Sequence, residues 1–129
     1  MKTVNYEVFG HGQDIYFNIG RLAAVENLVK VPIGEIISAQ YLNLNHLAGL
    51  LCVGLSHHQK RTPQWYLDKI QELLDEGIAI EEIHEPVVKA LAASGIMGKA
   101  IYYAYFPEEN TEAVQKKLAE VKKQEGATP

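Results

Sequence analysis

Histidines, a lone cysteine and a run of carboxylates are the residues of this chain with the most chemistry to offer. His57 and His58 are adjacent, and on a helix adjacent side chains diverge. His46 lies eleven residues before His57, about three turns, so those two can share a face. Cys52 stands six residues from both His46 and His58, roughly across such a helix. Zinc wants three or four converging ligands. The spacing reads instead as a polar helix end, where imidazole interacts well with the C-terminal dipole. His84-Glu85 opens the pattern of a zinc-protease helix, but position 88, where the second histidine belongs, is valine. No metal ligand set and no cofactor site is expected.

Nucleophilic chemistry fares no better. Ser56 adjoins His57, but adjacency in sequence does not give hydrogen-bond geometry. There is no Gly-x-Ser-x-Gly elbow, and Ser38 and Ser94 have no obvious partners. Cys52 sits among leucines, which points to burial rather than reactivity. Gly10-His11-Gly12 lacks the Gly-Lys-Ser/Thr ending of a phosphate loop and reads as a hairpin turn. No catalytic residue is expected.

Two surface features remain. Asp68, Glu72, Asp75, Glu76, Glu81, Glu82 and Glu85 gather around one helix–turn–helix corner. Such a corner is either a solvated face or an electrostatic docking face for a basic partner. It would repel phosphate, which disfavours a DNA-reading role. Tyr102, Tyr103, Tyr105 and Phe106 follow Gly95 and Gly98, and serve either as core or as interface anchors. The candidate partner-binding residues are therefore Asp68, Glu72, Asp75, Glu76, Glu82, Tyr102 and Tyr105.

These residues need elements to position them. Val4, Tyr6 and Val8 alternate with polar residues, as do Ile15, Phe17 and Ile19, and Gly10–Asp14 supplies a turn: a β-hairpin. Asn18 or Gly20 starts a helix bearing Leu22, Val25, Leu28 and Val29, which stops before Pro32. A short helix is expected near residues 33–37. Asn43 or Asn45 caps the next, from Leu44 to about His57, which is apolar on nearly every side and so is the buried central helix. Its Gly49 and Gly54 cost about 1 kcal/mol each and make sense if neighbours press close. Thr62 caps a helix with Pro63 at its first position, ended by Gly77. Another runs from Ile80 to Ser94, with Pro86 in its first turns. Lys99 to Phe106 is a short helix or an extended segment. The expected fold class is mainly α (α+β), a short N-terminal β-hairpin packed on a bundle of about five to seven helices. Residues 1–107 form one globular domain, and 108–129 a charged C-terminal helix and loose tail.

Composition sets bounds on function. The chain has 129 residues, 47% hydrophobic and 22% charged, with a formal net charge of -4. That is one domain's length and ordinary globular composition. A mildly acidic domain is a poor phosphate-backbone binder, so no nucleic acid is expected. No apolar run approaches the ~20 residues that span a bilayer, so no membrane is expected. A single cysteine fits a reducing compartment.

Read in order, several segments resemble a known family. They are the hairpin leading into Leu22-Ala23-Ala24-Val25-Glu26-Asn27, then Ile33-Gly34-Glu35-Ile36-Ile37, then Leu50-Leu51-Cys52-Val53-Gly54-Leu55-Ser56-His57. Ile70-Gln71-Glu72-Leu73-Leu74-Asp75 and Val87-Val88-Lys89-Ala90-Leu91-Ala92-Ala93-Ser94-Gly95 follow. Over roughly residues 3–95 this order resembles the tail assembly chaperones of phages and prophages of Gram-positive bacteria, and the related gene-transfer-agent tail protein. The resemblance implies a non-enzymatic protein of the bacterial host cytoplasm. Its partners would be the tape measure protein and the tail tube protein, with homo-oligomerisation left open. It carries over no catalytic residue, and Tyr102–Phe106 has no counterpart in it. Two rival readings stand beside it: a tail structural protein of the tube or terminator kind, and a small metal-binding enzyme using His57, His58 or His84.

Overall fold

The computed structural model describes residues 2–39, 42–111 and 119. Among them the chain runs through a two-stranded antiparallel hairpin, β1 (Val4–Asn5) and β2 (Asp14–Ile15), and then six helices. These are α1 (Ile19–Val29), α2 (Ile33–Ser38), α3 (Leu44–Gly54), α4 (Pro63–Asp75), α5 (Ile80–Ala93) and α6 (Lys99–Tyr105), followed by a 3₁₀ turn at Pro107–Glu109. The fold is mainly helical with a small N-terminal hairpin. No described helix is long and apolar enough to cross a membrane.

The hairpin is short because a helix cap cuts it off. Val4 pairs with Ile15 and Asn5 with Asp14, and the Tyr6 N–H donates to the Gln13 carbonyl at 2.9 Å. Tyr6, Ile15 and Phe17 are buried as the alternation predicts, but Ile19 is 71% exposed. The Asn18 side chain accepts the Arg21 N–H at 2.8 Å. That cap satisfies an orphan donor and starts α1, so the two-residue strand period gives way to helix at Ile19.

α3 is the axis of the core. Asn43 caps it by accepting the N–H groups of Asn45 and His46. Leu47, Ala48, Gly49, Leu50, Leu51, Cys52 and Gly54 are all buried. α1 and α4 pack along α3, while α5 closes over β1, α3 and α4. The core so formed includes Tyr6, Phe17, Leu22, Val25, Leu51, Leu55, Tyr66, Ile83 and Val87. The close neighbours expected at the α3 glycines are present. A Cβ on Gly49 would overlap Val29, and one on Gly54 would lie within 3 Å of Ile15 and Phe17. α3 ends at Gly54 rather than His57, and residues 55–58 form a turn.

α4 opens as expected, with Thr62 Oγ1 accepting the Trp65 N–H at 3.1 Å and Pro63 at the first position. It closes where Gly77 adopts φ +96°. Pro86 lies in the second turn of α5. Its missing N–H falls opposite the carbonyl of Glu82, in the first turn of the helix, where a proline is tolerated. Lys99–Tyr105 is helical and packs on α5. Lys2 Nζ donates to Glu109, joining the start of the hairpin to the 3₁₀ turn. The expected C-terminal helix and tail lie outside the described residues apart from 108–111 and 119.

Candidate functional site

The early end of α3 overturns the expectation for the histidines. In the 55–58 turn, His57 and His58 do not diverge as they would on a helix; their ring centroids lie 4.1 Å apart. Both Nε2 atoms reach Oδ1 of Asp14 in β2, His57 at 2.8 Å and His58 at 2.6 Å. Sequence reasoning missed Asp14, which lies 43 residues before His57. Hairpin alternation contained the signal: Ile15 must point inward, so Asp14 points outward. The two imidazole hydrogen bonds, His57's first, pull the Asp14 carboxyl down to about 2.

Arg21 buttresses this clasp from α1. Its Nη1 donates to the carbonyls of Val53 at 2.9 Å and Gly54 at 3.0 Å, and lies 3.2 Å from His57 Nδ1. The guanidinium lies over the Tyr16 ring, 3.8 Å from its centroid. Arg21 thereby caps the C-terminal carbonyls of α3, where a cation also meets the favourable end of the helix dipole.

The other histidines serve elsewhere. His11 is fully exposed in the hairpin turn. His46 on α3 and His84 with Glu85 on α5 line a hollow of about 260 Å³ between α2, α3 and α5. Its walls are mainly apolar, including Ile36, Leu42, Leu47, Leu50, Val88 and Met97. A second hollow, lined by Leu28, Val29 and Pro63, shares Asn43 and His46 with the first. Around the start of α3, Leu28, Leu42 and Leu44 remain 43%, 38% and 51% exposed. Sequence reasoning assigned Leu28 and Leu44 to inward faces and did not find this apolar surface.

Asp68, Glu72, Asp75, Glu76 and Glu82 are all exposed, as an acidic corner requires. Three of them are engaged along their own helix. Asp68 accepts from Gln64, Glu72 from Lys69 and Asp75 from Gln71, each near 3 Å. Glu72 and Glu76 also rim a hollow of about 350 Å³ floored by Phe9, Trp65 and Leu73. Tyr102 and Tyr105 lie half-buried on α6. The Tyr102 hydroxyl donates to Glu109 at 2.9 Å, and its ring packs against Tyr103 and Phe106. Tyr105 packs against the core.

Ser56 Oγ donates to the Val53 carbonyl at 2.7 Å, so its proton is directed at the backbone. Cys52 Sγ donates to the Arg61 carbonyl at 3.2 Å, and burial pushes the thiol up to about 11. A thiol so placed is a weak nucleophile at neutral pH. No family model matches this chain, and neither does any curated protein or solved structure compared with it.

Proposed function

We propose that this chain is a phage or prophage tail assembly chaperone that holds helical segments of the tape measure protein without performing chemistry on them. The observation carrying this reading is the apolar hollow between α2, α3 and α5, with exposed Leu42 in its wall. An amphipathic helix binds by laying its apolar face into such a groove, through anchors three and four residues apart. Asn43, His46, His84 and Glu85 supply polar atoms along the same walls, suited to the charged flank of such a helix. Exposed leucines are common singly, but Leu42 lines this hollow and Leu28 lines the one that shares Asn43 and His46 with it, so apolar surface continues across the shared wall. The acidic corner and the tail tube protein belong to the same proposal, as a second docking face and a second partner.

Co-expression with the tape measure protein of the same phage, followed by affinity capture, tests the reading. The wild-type chain should co-purify with it. Leu42→Asp and Val88→Asp should each abolish capture, because a carboxylate in an apolar seat is expensive, while far-UV circular dichroism stays unchanged. Absence of capture by the wild-type chain overturns the function. Capture unaffected by both substitutions overturns the hollow as its seat.

A further inference from the structure

His58 Nε2 faces two groups that make opposite demands. The Asp14 N–H points at it from 3.0 Å and asks for a lone pair, while Asp14 Oδ1 lies 2.6 Å away and asks for a proton. One nitrogen cannot answer both. Unprotonated, Nε2 has a single lone pair, which goes either to the Asp14 N–H or to a cation shared with Asp14 Oδ1. Ligation therefore gives up the Asp14 N–H contact, which lies at the exposed surface where water can replace it. His57 Nε2 points at the same oxygen from a second direction. Its far nitrogen, Nδ1, is the most distant of three acceptors around Arg21 Nη1, which has only two protons to give. Arg21 therefore does not have to fix the tautomer of His57.

We propose that Asp14, His57 and His58 form a three-ligand site for a divalent transition-metal cation of the zinc class. Their ligand atoms all lie within 4.8 Å of one another. Two imidazoles and a carboxylate suit zinc and its neighbours, whereas calcium and magnesium prefer all-oxygen shells. Bonds of ~2.0–2.1 Å in a tetrahedron set ligands about 3.3 Å apart. The contacts of 2.6 and 2.8 Å must therefore open by roughly 0.5–0.7 Å to admit the ion. The side chains are partly exposed, which leaves the remaining coordination positions to water. Binding moves the His57 proton to Nδ1 and gives up the contact with Arg21. The ion would clip the hairpin to the turn after α3, and this holds whether or not the protein chaperones a client.

The test is a Co²⁺ titration of the full chain, purified without a histidine tag and followed by visible absorption, with Zn²⁺ as competitor. The wild-type chain should develop d–d bands that Zn²⁺ abolishes. Asp14→Asn, His57→Gln and His58→Gln should each weaken binding by at least the ~10–100-fold that loss of an outer-shell partner costs. His46→Gln and His84→Gln should leave it unchanged. Zn²⁺ should also shift the NMR signals of Asp14, His57 and His58 in the wild-type chain, a readout that needs no variant to fold. Absence of bands, bands insensitive to Asp14→Asn and His58→Gln, or NMR shifts confined to His11, His46 or His84 would each overturn the site.

Discussion

A single missing methyl group decides how the hairpin meets the helical core. Gly54 closes α3, and a Cβ there would lie 2.7–2.9 Å from Ile15 and the Phe17 ring. Ile15 and Phe17 are both fully buried, so neither has room to retreat. In the Gly54→Ala variant, the helix-propensity gain of up to ~1 kcal/mol opposes an overpacking cost of about 1–3 kcal/mol. The overlap involves three atoms on two immobile side chains, so overpacking wins. Gly54→Ala should lower unfolding stability by about 1–2 kcal/mol in urea melts, and a neutral or stabilising result would show that the hairpin can shift outward. The α3 glycines were legible in the sequence as sites of close approach, because nothing else justifies two glycines inside an apolar helix. Their partners were not, because contacts from Val29, Ile15 and Phe17 cross between elements.

At the scale of elements, local chemistry set most boundaries. Asn18, Asn43 and Thr62 each accept N–H groups of the first turn they open, and each is readable from residue type alone. For α4 the consequence is measurable. Thr62→Ala removes the acceptor of the Trp65 N–H and should cost ~1 kcal/mol, while Thr62→Ser should restore most of it. Urea unfolding followed by Trp65 fluorescence reads this at the helix concerned, and equal stability of Thr62→Ala and wild type would mean that Pro63 alone sets the start of α4. The sequence was least informative where an element ends without a distinctive stop. α3 gives way to a turn at Leu55, and only that early stop lets His57 and His58 turn together onto Asp14. Helical spacing carried through to His57 sends them apart, so the clasp stayed hidden although each of its residues was in plain view.

At the scale of the whole molecule, the hairpin is joined to the rest by stitches of very different strength. Two paired positions cannot hold a hairpin by themselves, so its place depends on contacts distant in sequence. The Tyr6 hydroxyl, on a ring that is 1% exposed, donates to the Ile83 carbonyl in α5 at 2.7 Å. Burial raises the pKa of that phenol, so it remains a donor at any ordinary pH. Lys2 meets Glu109 at the surface, where water competes for both partners and holding two long side chains costs entropy. Tyr6→Phe keeps the ring and removes only the donor, leaving a buried carbonyl short of a partner, which costs about 1–2 kcal/mol. Lys2→Ala should cost less than Tyr6→Phe, and its effect should shrink further in high salt. The two side chains bond different partners, Glu109 and Ile83, so their effects should add within about 0.5 kcal/mol in the double variant. Urea melts of the four chains, wild type included, check the ranking. A larger loss from Lys2→Ala than from Tyr6→Phe would mean that the hairpin is held from its outer edge, by the link to the 3₁₀ turn, and not from the core.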